Sequence, residues 1–433
     1  MDMQMETFHL EGRVAIPYFN RWGELSYTTE QAFDHDPFQV LATSTSGSPV
    51  LFTSSLFVGF LKEAGGRFIY DGKGRLQVIY DDNQMLFIRE GMEPYEAWDA
   101  YNHEVISLNG IEDRRRMPLY RTLEYCTWVE QKAQATEAAN VHEVLSEAFM
   151  ADYLNRLDKL QLPRGKVCLD DGWFDRHSAT GSGTIFANER FPDLRRISHN
   201  IEAAGHIPGI WLDLGCVSPL SKFFQLNQHA VKPHSYFGGP AEQENKQSHT
   251  FYQPLPGKEM ENHFRDVFDR LIDAGFVKFK LDMMYGNKRE MSAILEAANR
   301  IAHELRADVE IEAHIPDIFV SRHCDVVRTN DVLIQADKPW RELTLAHWTT
   351  CLYSAPGRWL NLDHIGGNHP AVSEADFLKS LAMYDQIAGY PVLSLLPDRF
   401  SSDAQNEVRN LLARYEANVM NDSFFNKKLQ FLG

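Results

Sequence analysis

Two aspartates that each close a strand-like run are the residues best suited to chemistry in this chain. Phe276-Val277-Lys278-Phe279-Lys280-Leu281-Asp282 reads as a strand with Lys278, Lys280 and Asp282 on one face and Val277, Phe279 and Leu281 on the other. Cys324-Asp325-Val326-Val327-Arg328-Thr329-Asn330-Asp331 also ends on a carboxylate. A pair of carboxyls is the minimum equipment for cleaving a glycosidic bond, one attacking in its ionised form and the other protonating the departing oxygen. Lys280 lies on the face of Asp282 and would help keep it ionised.

The elements that must carry these residues are strands alternating with helices. After Pro118 the strand candidates are 123–129, 166–170, 208–212, 277–282, 309–314, 326–331, 358–362 and 390–395. Between them lie runs of helical period, such as Phe264, Val267, Phe268, Leu271 and Ile272, or Met291, Leu295, Ala298, Ile301, Ala302 and Leu305. Eight such units predict an α/β fold, a (β/α)8 TIM barrel over 118–433, with chemistry at the C-terminal strand ends. The alternative, a doubly wound sheet, lacks a Gly-rich phosphate fingerprint after any strand. Before the barrel, short β runs (14–19, 38–43, 49–53, 67–70, 76–80, 85–89) are cut by Asp71-Gly72 and Asp81-Asp82-Asn83. They predict an N-terminal antiparallel β-sandwich domain built from hairpins, which with a helical linker from Pro94 takes up residues 1–117.

The strand ends then offer Trp128; Asp170, Asp171 and Trp173; Trp211 and Asp213; Lys280 and Asp282; Glu312 and His314; Arg328 and Asp331; and Trp359, Asn361 and Asp363. Carboxylates accept hydrogen bonds from vicinal hydroxyls, and indoles stack on the apolar face of a pyranose. Singly these residues have plainer readings: Asp170-Asp171-Gly172 as a turn, Trp211 as core, Arg328 as a structural ion-pair partner.

Bulk properties narrow the field. With 43 basic against 60 acidic side chains the net charge is −17, which disfavours a nucleic-acid partner. The start of the chain has no basic and apolar leader pattern, and no run approaches the ~20 apolar residues of a membrane span; the expectation is a cytoplasmic protein with no membrane partner. The 5 cysteines are scattered without CxxC spacing and read as buried thiols. His314, His323, Cys324 and Asp325 prompt a metal-dependent hydrolase, but no HxH follows the first strand, so no metal and no cofactor is expected.

Taken in order, these motifs resemble the catalytic barrel of the α-galactosidases of the melibiase group, glycoside hydrolase clan D, family 36/27-like. Val167-Cys168-Leu169-Asp170-Asp171-Gly172-Trp173-Phe174 resembles the second-strand motif whose paired aspartates hold the galactose 4- and 6-hydroxyls; Gly209-Ile210-Trp211-Leu212 and Val217-Ser218-Pro219-Leu220-Ser221 are similar to the third-strand region. Lys280-Leu281-Asp282 matches the K-x-D signature of the nucleophile, Arg328-Thr329-Asn330-Asp331 resembles the segment that supplies the acid/base, and Pro356-Gly357-Arg358-Trp359-Leu360-Asn361 resembles the seventh-strand region.

The resemblance implies a retaining α-galactosidase acting on an oligosaccharide or glycoside. Its substrate-binding residues would be Asp170, Asp171, Trp173, Trp211, Lys280, His314 and Arg328. Transglycosylation, an N-acetylgalactosaminide or arabinopyranoside substrate, a non-catalytic sugar-binding barrel and homo-oligomerisation stay open. Glu312-Ala313-His314-Ile315-Pro316 stands where the family reads the sugar's 2-substituent, and His314 reads equally as such a contact or as a structural histidine. The stretch after the eighth strand is short for the group's C-terminal β-sandwich. Alternation also turns Lys278 and Glu310 into the barrel, where an ion pair between them is expected, because a lone buried charge is expensive.

Overall fold

The computed structural model describes residues 3–20, 25–28, 31–40, 44–46, 48–174, 185–219, 221–233, 252–284, 286–314, 316–329, 334, 338–385 and 389–418. Eight parallel strands form the barrel in sequence order: Glu124–Cys126, Lys166–Leu169, Ile207–Leu212, Lys278–Leu281, Glu310–Ala313, Val326–Arg328, Trp359–Asn361 and Val392–Leu393. The first pairs with the eighth, and the seventh meets the chain before the eighth through a parallel bridge from Leu360 to Gly389. Only glycine permits that closure: a Cβ at Gly389 would lie 2.3 Å from the Trp348 ring and 2.4 Å from the Leu360 carbonyl.

The strands are shorter than the sequence predicts at most ends. The first and the eighth shorten most; in the first, Trp128 opens a helix, Trp128–Gln134, instead of continuing the strand. Helices cover the barrel as their periodicity requires. Lys258–Asp273 buries Met260, Phe264, Val267, Phe268 and Leu271 on one stripe, and Lys288–Leu305 buries Met291, Leu295, Ala298, Ile301 and Ala302. Each of these methionine, phenylalanine, valine, leucine and isoleucine side chains contributes about 1.5–3 kcal/mol by leaving water, and each alanine less.

The N-terminal region forms two antiparallel sheets. One has the order Met3–His9, Arg75–Asp81, Gly66–Tyr70, Phe33–His35. The other runs Leu86–Glu90, Leu56–Phe60, Val50–Phe52, Val14–Asn20, Leu25–Thr28, with Ser44–Ser46 also on Val14–Asn20. The Asp71-Gly72 break makes a hairpin, but Asp81-Asp82-Asn83 does not: Arg75–Asp81 pairs in one sheet and Leu86–Glu90 in the other, so the turn crosses between layers. Leu56–Phe60 escapes a pattern reading because all of its residues are buried and nothing alternates.

These sheets have their own core, to which helix Pro94–Asn109 adds Trp98, Tyr101 and Val105, and the barrel adds Ile318 and Phe319. Contact with the barrel reaches the C-terminal ends of its strands: Gln39–Val40 pairs antiparallel with Gly286–Asn287, a short way beyond Asp282. All five cysteines are buried, and no helix among the described residues is long and apolar enough to cross a membrane.

Candidate active site

At the C-terminal mouth of the barrel a cavity of about 170 Å³ is lined by Trp128, Asp170, Asp171, Trp211, Lys280, Asp282, Met283, Arg328, Asp363, His364 and Asn368. Asp282 follows the fourth strand, and its backbone N–H continues the ladder to Leu212 O at 2.9 Å. Carboxylate Oδ1 accepts from Arg328 Nη2 at 3.0 Å and from the Met283 N–H at 2.8 Å, while Oδ2 accepts from Trp211 Nε1 at 3.3 Å. Met283 adopts φ 59°, a left-handed backbone that costs a non-glycine residue about 1 kcal/mol or more and aims its N–H at the carboxylate. Burial would raise the pKa of Asp282, yet Arg328 first, then His314, Lys280 and the Met283 N–H, hold it at about 2.

The second-strand aspartates have separate environments. Asp170 Oδ2 accepts from Lys280 Nζ at 2.9 Å and from the Cys126 thiol at 3.0 Å, and its backbone N–H donates to Thr127 Oγ1. Asp171 Oδ2 lies 2.9 Å from His142 Nε2, and its Oδ1 has no hydrogen-bond partner among the described residues. Burial, followed by Asp213, Asp170 and Asp282, pushes the Asp171 carboxyl far above its usual range. These surroundings favour the neutral form of Asp171 beside Asp282.

His142 is a site residue that strand reasoning missed. It sits on a four-residue helix, Val141–Val144, closed by an Asn140–Glu143 capping box; that box was the only legible signal of a helix there. Gly172, at φ 127°, lets this helix approach, since a Cβ would fall 2.6 Å from the His142 carbonyl.

Lys280 Nζ bridges Asp170 and Asp363, at 2.9 and 3.0 Å. Burial works against its charge, but both carboxylates raise its pKa well above the usual value. Arg328 in turn bridges Asp363 (2.6 Å) and Asp282 (3.0 Å). The result is a line of alternating charge: Asp170, Lys280, Asp363, Arg328, Asp282.

The structure thus brings together Asp170, Asp171, Trp211, Lys280, Asp282 and Arg328. Trp173 is a correction: it is fully buried and its indole N–H donates to the Trp211 carbonyl at 2.9 Å, so it packs behind the wall and offers no face to a sugar. Trp211 itself stacks on Phe174 and turns its indole N–H, not an open ring face, towards Asp282. His314 Nε2 accepts from the Met284 N–H at 3.0 Å and lies 3.7 Å from Asp282 Oδ1. Burial lowers its pKa to about 4, so near neutrality it is an uncharged support for the turn after Asp282. Asp331 lies outside the described residues.

Lys278 and Glu310 are both inside the barrel, but not as a pair. Lys278 Nζ bonds Glu124 at 2.7 Å and Glu312 at 3.2 Å, whereas Glu310 is held by Lys166, at 2.9 Å to each oxygen. Glu124, Glu310 and Glu312 are close enough to share a metal ion, but the two lysine ammoniums already occupy their approaches.

No protein-family model matches the chain, and no curated protein matches its sequence. Solved structures do match in fold. The α-galactosidase of Thermus thermophilus in complex with stachyose superposes with a TM-score of 0.67 at 15% identity, covering 95% of this chain and 93% of that one. The α-galactosidase of Lactobacillus brevis gives 0.64 at 12% identity, with 96% of this chain and 60% of that one covered. A GH36 α-galactosidase of Geobacillus stearothermophilus gives 0.62 at 12%, covering 96% and 62%. At such identities the likeness establishes the fold: a (β/α)8 barrel behind an antiparallel β-sandwich, shared with α-galactosidases.

Proposed function

We propose that the protein is a retaining α-glycoside hydrolase acting on terminal α-galactosides, with Asp282 as nucleophile and Asp331 as acid/base. The observation that carries this reading is the state of Asp282: a carboxylate held at about 2 by Arg328 at the floor of a small cavity otherwise walled by hydrogen-bonding acids and tryptophans. The fold shared with α-galactosidases agrees with it.

Within Asp282, Oδ1 is pinned by two donors and Oδ2 by one longer bond. Oδ2 is therefore the oxygen that attacks the anomeric carbon. A C–O bond forms there as the bond to the aglycone breaks, and the departing oxygen takes the proton of Asp331. Esterification removes the charge of Asp282, which lowers the pKa of Asp331 and prepares it to take a proton from the incoming water. That water cleaves the ester, releases the sugar with retained configuration and restores both carboxyls. The Asp170 and Asp171 carboxyls, both on the cavity wall, would hydrogen-bond sugar hydroxyls.

The test is release of nitrophenol from a panel of α-linked nitrophenyl glycosides, with Asp282→Asn alongside. Cleavage of the α-galactoside, lost in the variant, supports the proposal. A folded protein that cleaves none of the panel refutes it.

A further inference from the structure

Asp363 is buried at the end of the seventh strand with φ 61°, in the left-handed region that favours glycine. Its backbone is tied down: the Asp363 N–H donates to Asn361 Oδ1 at 2.8 Å, and Asn361 Nδ2 donates to Glu312 Oε2 at 3.1 Å and to the Tyr390 hydroxyl at 2.8 Å. An unfavourable backbone held this firmly places the carboxylate between both cations of the site, with Oδ1 on Lys280 and Oδ2 on Arg328. His364 Nε2 lies 3.3 Å from Oδ2.

The planar fork of Arg328 is consequently split, with Nη1 on Asp363 and Nη2 on Asp282. A guanidinium beside a single carboxylate prefers the two-pronged pair that engages both oxygens. We infer that Asp363 is a positioning residue that holds Arg328 back from Asp282, so that Arg328 bonds the nucleophile through one oxygen while leaving the other to attack. This rests on the reading of Asp282 as nucleophile. Without Asp363, the line of charge collapses into two closed pairs, Lys280 with Asp170 and Arg328 with Asp282. The second pair occupies the attacking oxygen.

Asp363→Asn tests this, because asparagine tolerates positive φ and keeps the shape while removing the charge. On an aryl α-galactoside kcat is expected to fall roughly 100-fold, the scale of a misplaced reacting group. Adding Arg328→Lys, which replaces the fork by a single ammonium, is expected to cost less in the Asp363→Asn background than in the native one. Additive losses, or near-native kcat in Asp363→Asn, overturn the proposal. Asp363→Gly, which suits the backbone, replaces the asparagine variant if that does not fold. A crystal structure of the variant reads the geometry without turnover. Both Arg328 nitrogens on Asp282 are expected, and an unmoved Arg328 overturns the inference. If Arg328 moves but the native protein cleaves no α-glycoside, the geometric inference stands and the catalytic reading fails.

Discussion

The barrel holds two buried charge networks, one above the other, and both contain two cations and three carboxylates. The lower joins Lys166 and Lys278 to Glu124, Glu310 and Glu312; the upper joins Lys280 and Arg328 to Asp170, Asp363 and Asp282. Each therefore carries one negative charge too many, and they resolve that surplus in opposite ways. In the lower set, where every side chain is at most 2% exposed, burial pushes the Glu310 carboxyl up to about 7 despite Lys166 and Lys278, so a proton can absorb the surplus. In the upper set the surplus stays on Asp282, which is 21% exposed to the cavity and held at about 2. The same composition serves packing where it is dry and closed, and on the proposed reading serves reactivity where one oxygen is held by a single long hydrogen bond.

The largest effect that would break this comparison is on activity. Asp282→Asn is expected to lower turnover of an α-galactoside roughly 10⁴-fold, as loss of a catalytic carboxylate does elsewhere, while the protein stays folded by circular dichroism. Retained turnover would move the reactive carboxylate elsewhere.

Lys278→Met should act on stability instead. Removing one partner of a buried pair costs about 3–5 kcal/mol, here by leaving Glu124 and Glu312 without the Lys278 ammonium, and denaturant unfolding measures it. In double-mutant cycles the coupling of Lys278→Met should be larger with Glu124→Gln than with Glu310→Gln. The reverse order would restore the direct Lys278–Glu310 pair.

The two networks should also differ in the sign of their pH dependence. Asp282 is lowered from 3.8 to about 2, so its contribution is complete above about pH 4 and is lost as pH falls towards 2. Relative to Asp282→Asn the native protein should lose about 2 kcal/mol over that window, seen as converging melting temperatures. Glu310 is raised from 4.5 to about 7, so its contribution is complete below about pH 4.5 and is lost as pH rises through 7. Glu310→Gln, which mimics the protonated form, should therefore gain on the native protein between pH 4.5 and 7. This is the smallest expected effect, and a constant difference would show that Glu310 stays ionised throughout.

Much of this arrangement was legible in the chain because strand ends are legible. Period-two alternation marks the runs that carry Lys280, Asp282 and Arg328, and a barrel gathers C-terminal strand ends around one mouth. Legibility failed where no alternation exists, as in the wholly buried Leu56–Phe60, and where a site residue came from a short loop helix, as with His142. It failed again for Trp173, since a tryptophan beside paired aspartates reads the same whether its ring faces the cavity or the core behind it.

What the sequence by itself determined is the phase: Lys278, Lys280 and Asp282 face inward, and so do Glu310 and Glu312. What only the tertiary structure decided is the partner. Lys278 and Glu310 are in register on adjacent strands, yet Lys278 binds Glu124 and Glu312 while Glu310 binds Lys166. The physical reason is strand tilt: in a closed, staggered barrel, residues paired in the ladder sit at different heights along the axis. Lys278 therefore meets Glu124, and Glu310 meets Lys166, across the interior from non-adjacent strands, while on the adjacent strand Lys278 reaches Glu312, two residues beyond its ladder partner.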